Sequence, residues 1–364
     1  GKNMSRNYDV AFKFGCGRYI QEENAIENNL YKELKNLGKK VLFVARENGY
    51  SAAVDSIKKS LDGKDVAYEF KRFDGVPCME NAEEFVQYVI ENDFEVVCGV
   101  GGGVMGDIVK LIAEIANIAL VQIPTSSATC VAATPLSIMY DRDTHAFKGG
   151  YICRREADVV IVDTTILIQQ PARLFWAGII DSKAKMIEIQ HYFTNGKPVP
   201  VGLEMALAVS KEVYHFYEQN MHEIIEAITE KKITKKFELA LFYAIAVTGI
   251  ISGLSKNSSQ TALGHGLYYA VRTNFCEEAK AFLHGEIVGV GLIIQLAFNG
   301  LAYEPMIDLL QRMKLPATVA EIGIVPNDQN LQFLMDWFGK SEHVDCDDEI
   351  QMEELKKAVM LIWK

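Results

Sequence analysis

The chain has 364 residues, 49% of them hydrophobic and 23% charged, with 27 glycines and 9 prolines. That composition excludes disordered, collagen-like and fibrous classes and gives room for two domains. The 37 Lys and Arg against 48 Asp and Glu leave a formal charge of −11, which removes the usual source of counter-ion release, so no nucleic-acid partner is expected.

The first half alternates two periodicities. Lys40-Val41-Leu42-Phe43-Val44-Ala45 is rich in β-branched and aromatic residues and stops at Asn48-Gly49, after which Ala53, Val54, Ile57 and Leu61 recur at helical spacing. Val66-Ala67-Tyr68-Glu69-Phe70 is a second strand, followed by Asp74-Gly75-Val76-Pro77 and a helix carrying Phe85, Val86, Val89 and Ile90. Glu95-Val96-Val97-Cys98-Gly99-Val100 leads into a glycine cluster, Ala119-Leu120-Val121-Gln122-Ile123 forms a fourth strand, and Val159-Val160-Ile161-Val162 closes this half. Strands that read as continuous apolar runs are buried on both faces, and helices between them supply the crossovers of a parallel sheet. Beyond residue 164 long helical patterns dominate, at Glu204 to Tyr217, Lys235 to Leu254 and Glu286 to Gly300. The expected organisation is an α/β domain over 1–164 and an all-helical domain over 165–364, with a cleft between them for a ligand.

Seven scattered cysteines without a CxxC pair fit a reducing cytoplasm better than a disulfide framework or a thiolate zinc site. The amino-terminal residues carry no apolar stretch of leader length. Apolar runs such as Ile287 to Phe298 fall short of the ~20 residues that cross a bilayer, so no membrane partner and a cytoplasmic location are expected.

The sharpest local signal is Gly99-Val100-Gly101-Gly102-Gly103-Val104-Met105-Gly106-Asp107-Ile108-Val109-Lys110. Glycines between a strand and a helix let backbone approach a bulky anion, and the helix start offers free N–H groups and its positive dipole end. It is neither a GxGxxG fingerprint nor a P-loop, because no Lys-Ser or Lys-Thr follows, and taken alone it fits a phosphate-bearing cofactor or a plain tight turn.

With the next strand's exit, Pro124-Thr125-Ser126, and then Pro135-Leu136-Ser137-Ile138-Met139-Tyr140, the pattern resembles the iron-containing (group III) alcohol dehydrogenase superfamily, and most of all its glycerol dehydrogenase branch. The resemblance continues through Val162-Asp163-Thr164, Pro171-Ala172-Arg173-Leu174 and Ala177-Gly178-Ile179-Ile180-Asp181 to Gly264-His265-Gly266 and Leu283-His284-Gly285-Glu286. It implies a dehydroquinate synthase-like fold, a nicotinamide cofactor, one divalent metal and self-association into a homo-oligomer. It also implies that Gly102, Gly103 and Val104 line the pyrophosphate, that Thr125 and Ser126 border the nicotinamide, and that Thr134, Leu136 and Tyr140 lie near the ring and ribose. Asp107 is expected to organise the loop.

Asp181, His265 and His284 are the implied metal ligands and catalytic centre. One carboxylate and two imidazoles suit Zn²⁺, Fe²⁺ or Mn²⁺ and leave a position for substrate, whereas singly each would read as a helix-capping aspartate or a structural histidine. Iron-dependent relatives add a histidine four residues after the aspartate, where this chain has Lys185, and Tyr268 and Tyr269 stand where another histidine often follows the first. A three-ligand zinc site is the better match.

The implied activity is hydride transfer between NAD(H) and a small polyol or alcohol. Cys130 replaces the aspartate with which glycerol dehydrogenases contact polyol hydroxyls, which leaves a 2-hydroxy acid or 2-oxo acid as the alternative, with Lys183 or Arg142 as nearby charges. A dehydroquinate synthase-like cyclase and a catalytically inactive nucleotide-binding homologue are further alternatives. Glu47 after the first strand favours NAD, whereas Arg46 would suit the 2′-phosphate of NADP.

Overall fold

The computed structural model describes residues 12–194, 198–256 and 262–364; the amino-terminal residues read above for a leader lie outside these. Strands β1 (Arg18–Glu22), β2 (Lys40–Ala45), β3 (Ala67–Arg72), β4 (Val96–Gly101) and β5 (Ala119–Pro124) alternate with helices α1 (Ala25–Leu34), α2 (Glu47–Leu61), α3 (Met79–Glu91) and α4 (Gly103–Ala116). A hairpin of β6 (Leu136–Tyr140) and β7 (Phe147–Ile152) follows, then β8 (Val159–Asp163). The main sheet has six strands in the order β1-β8-β5-β4-β2-β3, every pair parallel, and the antiparallel hairpin stands apart from it.

Burial explains which strands the sequence announces. Val41, Leu42, Phe43 and Val44 of β2 and Val96, Val97, Cys98 and Val100 of β4 are fully buried, so each position must be apolar, and each large side chain contributes roughly 1.5–3 kcal/mol. The edge strands are different. β1, Arg-Tyr-Ile-Gln-Glu, exposes both ends and lacks an apolar run, and sequence reading passes over it. It pairs along its whole length with β8, which therefore lies inside the sheet. The chain reverses its direction of sheet growth between β2 and β4, because β3 lies to one side of β2 and β4 to the other. Ligands of open α/β sheets bind at the carboxyl ends of the strands flanking such a reversal, and the glycine turn leaves β4 there.

After Asp163 no strand occurs among the described residues. The helices are α5 (Thr164–Leu167), α6 (Ala172–Thr194), α7 (Leu203–Glu230), α8 (Lys235–Phe242), α9 (Thr248–Ser255), α10 (Leu263–Asn274), α11 (His284–Phe298), α12 (Glu304–Arg312), α13 (Asp328–Gly339) and α14 (Glu349–Met360). A π-helical turn, Tyr243–Val247, joins α8 to α9, with Thr248 Oγ1 donating to the Tyr243 carbonyl at 2.7 Å.

Two compact units result: Gly1–Ala172 with Asn220–Gly253, and Arg173–Gln219 with Leu254–Lys364. This partition differs from a single boundary at residue 164. Periodicity shows that 235–254 is helical but not where its apolar face packs. Phe237, Leu241 and Ile245 are buried within the first unit, where Gln21 donates to the Glu238 carboxylate at 2.7 Å. The continuous run Lys235–Ser255 has a mean hydropathy of 1.8 over bilayer length, which corrects the expectation that no segment reaches it. That stretch is 67% buried within the chain, as the core helix of a folded unit is.

Candidate metal centre

Three helices of the second unit each bring one ligand. Asp181 lies on α6, His265 in the first turn of α10, and His284 at the first position of α11; Asp181 and His265 are buried and His284 is half-buried. Glycines set the helix spacing. A Cβ on Gly285 would overlap the Ala177 carbonyl of α6, and one on Gly264 would stand 2.7 Å from a Glu188 oxygen. The backbones on either side of the histidines therefore approach α6 as closely as glycine permits.

A clasp fixes the entry of α11. Glu286 accepts from the Leu283 amide at 2.8 Å, capping its own helix, and accepts from Arg173 Nε at 2.8 Å. Arg173 begins α6, so one ion pair joins the ends of the two helices that carry Asp181 and His284. These partners give a physical role to the Arg173 and Glu286 of the two matching motifs.

The ligand atoms converge. His284 Nε2 lies 3.2 Å from Asp181 Oδ1 and 3.2 Å from His265 Nε2, and His265 Nε2 lies 3.4 Å from the same Oδ1. Donors around a tetrahedral cation at about 2.0–2.1 Å stand roughly 3.3–3.4 Å apart, so this triangle fits one face of such a site. The protonation pattern agrees. Glu188, fully buried on α6, lies 2.7 Å from His265 Nδ1 and accepts its proton, which leaves the Nε2 lone pair directed at the other two ligands. Burial, against the pull of Asp181, lowers the His284 pKa and keeps that ring neutral. Burial also opposes the Asp181 charge, but His284, Lys185 and the two imidazole contacts outweigh it and hold the carboxyl well below its usual range. For His265 burial is likewise outweighed, by Glu188 and Asp181, and the pKa rises. Three ligand atoms facing one point have the arrangement of a cation site, and these residues form a divalent-metal-binding triad. Among the described residues no fourth His, Cys or carboxylate joins them. Tyr268 packs its ring edge-on against His284 at 4.2 Å, and Lys185 stands one turn beyond Asp181.

Sequence reading did not single out Glu188. Its signal is the seven-residue offset from Asp181, which places it two helical turns along the same face of α6.

The residues expected at the cofactor gather in the first unit. Gly102 caps α4, Gly103 and Val104 begin it, and Gly101 has φ +154, a conformation that favours glycine. A Cβ on Gly103 would meet Thr129 Oγ1 at 3.3 Å, and the nearest atom to one on Gly102 is Ser126 Cβ at 3.7 Å, so the turn packs against the loop after β5. The Thr125 amide donates to the Gly101 carbonyl at 3.0 Å. Thr134 is buried and accepts from Lys110 Nζ at 3.0 Å. Leu136 and Tyr140 are the two ends of β6, and Cys130 is buried at the start of a single 3₁₀ turn, Val131–Ala133. Burial pushes the Asp107 carboxyl up to about 7 against the opposing pull of Lys110, whose ammonium is 3.6 Å away.

The remaining charged candidates are engaged elsewhere. Lys183 is bonded to Glu218 and lies over the Tyr214 ring, and Arg142 pairs with Glu84 at 2.7 Å on an exposed turn. Arg46 donates to the carbonyls of Phe73, Asp74 and Gly75. His191 contacts Asn299 at 2.7 Å and packs against His343.

The family model for iron-containing alcohol dehydrogenases matches residues 16–164. A relative named glycerol dehydrogenase, from Thermotoga maritima, is 28% identical over 85% of this chain and 84% of its own length. Hydroxycarboxylate dehydrogenase A of Escherichia coli is 26% identical over 69% of each chain. The solved structure of a probable glycerol dehydrogenase from Sinorhizobium meliloti superimposes with a TM-score of 0.82 at 21% identity, covering 97% of both chains. Residues 16–164 thus match the iron-containing alcohol dehydrogenase family, and over most of its length the chain is similar in sequence to glycerol dehydrogenases and shares their fold.

Proposed function

We propose that this protein transfers hydride reversibly between NAD(H) and a small alcohol or polyol at a divalent metal held by Asp181, His265 and His284. The observation that carries the reading is the convergence of those three ligand atoms with Glu188 behind one of them. The separations of 3.2–3.4 Å lie nearer a tetrahedral set than the roughly 2.8–3.1 Å between neighbours in an octahedral one, which supports zinc.

A bound divalent cation polarises an alcohol or carbonyl oxygen, and a nicotinamide gives or takes the hydride. The chain's own part is placement and field. Asp181 contributes the one negative charge of the triad, and its low pKa keeps that charge across the neutral range. Glu188 holds the Nδ1 proton of His265 and thereby fixes the tautomer and the ring plane. The helix start at Gly102, Gly103 and Val104 offers amides to a pyrophosphate, and Thr125 and Ser126 border the nicotinamide. Arg46 is committed to three backbone carbonyls, which supports NAD over NADP. All seven cysteines are free, in keeping with a reducing compartment.

The test follows NADH absorbance in zinc-loaded protein with dihydroxyacetone. Oxidation of NADH that stops on chelation, returns with zinc, and is absent from Asp181→Asn supports the reading. Zinc-loaded protein that binds NADH yet consumes it with no small ketone or aldehyde sinks it.

A further inference from the structure

The two histidines of the metal centre are held in different ways. Behind His265 stands Glu188, which takes the Nδ1 proton at 2.7 Å and so fixes the ring. His284 has no such partner. Its contacts to Asp181 and to His265 both use Nε2, the atom that faces the ion, and among the described residues nothing hydrogen-bonds its Nδ1. Its side chain keeps 20% of its surface exposed, against none for His265. The torsion that turns an imidazole about its Cβ–Cγ bond is soft, so another contact must fix the ring plane.

That contact is aromatic. Tyr268, buried in α10, places its ring 4.2 Å from that of His284, with the two planes at 64°. The tyrosine ring is itself braced. Tyr269 packs edge-on against it at 5.5 Å, and the Arg272 guanidinium lies over it at 5.4 Å. Tyr268 follows His265 by three residues and precedes Arg272 by four, so these three share one face of α10. Arg272 also donates to the carbonyls of Ala279 and Phe282, in the connection that delivers His284 to the start of α11. One face of α10 thus supplies a ligand of its own and the support for the ligand of the next helix.

From this geometry we infer that Tyr268 is a positioning residue of the metal centre: its ring sets the plane of the His284 imidazole and keeps Nε2 directed at the ion, as Glu188 does for His265. The inference rests on the metal-centre reading above and adds to it a residue outside the three ligand motifs. The property used is the ring, since edge-to-face packing depends on shape and on the ring quadrupole. Phenylalanine should therefore serve at this position, and an aliphatic side chain should not. A tyrosine that only fills the core would behave differently. Its loss would lower the stability of the metal-free protein and leave the affinity of the folded protein for the ion unchanged.

The test compares wild type, Tyr268→Phe and Tyr268→Leu, each first shown to be folded without metal by circular dichroism. Zinc affinity is measured by competition with a chromophoric chelator, and the visible absorption of the cobalt-loaded protein reports the ligand geometry. Tyr268→Phe should match wild type in both, whereas Tyr268→Leu should bind zinc about 2–10-fold more weakly, the equivalent of one aromatic pair, with an altered cobalt band. If leucine prevents folding, Tyr268→Met takes its place, because its flexible chain fills the space without a ring. A folded Leu or Met variant with the zinc affinity and cobalt band of wild type overturns the inference, as does a loss in Tyr268→Phe equal to that in the aliphatic variant. Asp181→Asn separates the two readings. Zinc lost in Asp181→Asn but unaffected at Tyr268 leaves the metal centre standing and sinks the inference alone, whereas zinc held equally by wild type and Asp181→Asn sinks both.

Discussion

Glu188→Gln tests whether the residue behind His265 tunes the metal centre. The glutamate accepts from His265 Nδ1 at 2.7 Å and from the His265 amide at 3.3 Å, with both residues fully buried. Glutamine has the same shape and keeps an acceptor for the Nδ1 proton, so the ring stays in place, while the charge and the longer 3.3 Å contact from the His265 amide are lost. A hydrogen bond to a charged group contributes roughly 1.5–3 kcal/mol and a neutral one roughly 0.5–1.5, a difference of about 1–1.5 kcal/mol. That corresponds to about tenfold in zinc affinity, the lower end of the 10–100-fold range for partners of metal-binding histidines. Glu188→Ala, which also orphans the Nδ1 proton and opens a cavity, should fall at the upper end or beyond. Zinc affinity is measured by competition with a chromophoric chelator at fixed pH, and denaturant unfolding of the metal-free proteins separates metal affinity from stability. Zinc affinity unchanged in both variants would refute the argument, as would a loss in Glu188→Gln fully matched by lower metal-free stability.

Gly285→Ala forces a methyl group into the Ala177 carbonyl, so α11 must move away from α6; we expect about 2–4 kcal/mol of lost stability, comparable to overpacking, with weakened zinc binding, and wild-type-like values in both assays would show that the helices are not held at this spacing. Arg173→Gln cuts the clasp between α6 and α11 and leaves buried Glu286 with its capping contact alone; a loss of about 1–3 kcal/mol in chemical denaturation is expected, and no loss would assign the ordering of α11 to packing. Glu156 gives a pH signature. Burial, opposed by the Gly15 amide, Lys110 and Lys13, pushes its carboxyl up to about 7 from 4.5. The folded state thus keeps a proton that the unfolded chain releases, and the associated stability is present below pH 4.5 and lost as pH rises through about 7. Glu156→Gln is neutral throughout, so wild type should lose up to roughly 3 kcal/mol relative to it between pH 4.5 and 8; parallel stability profiles would contradict this.

The sequence is most readable where one physical demand acts on every position. β2, β4, β5 and β8 are covered on both faces, and each reads as a largely apolar run, interrupted inside the strand only by the buried Gln122 of β5. β1 is an edge strand whose order comes from pairing with β8 at a distance, so Arg18 to Glu22 carry no local pattern. The metal ligands are legible because each sits in a glycine-containing motif, and at Gly264 and Gly285 neighbouring groups of α6 approach as closely as glycine permits. Glu188 and Lys185 lack such a frame. Both are long charged residues on a helix, a pattern that ordinarily means solvent, and only three-dimensional packing reveals that they are buried. The same limit explains why Lys183 and Arg142 seemed available from sequence: their partners, Glu218 and Glu84, lie about 35 and 58 residues away.

The triad gathers residues that are remote along the chain, Asp181 and His284 being 103 positions apart and the two histidines 19. An ion held by all three therefore closes chain loops in the manner of a disulfide, and a loop of about 100 residues closed in that way is worth roughly 4–5 kcal/mol in the chain-entropy picture. Unlike a disulfide, this cross-link is set by supply, because its contribution grows with the ratio of free metal to dissociation constant. Scarcity of the ion would then expose the protein to proteolysis as well as silence it, and the amount of enzyme in a cell would follow the metal that the cell can spare.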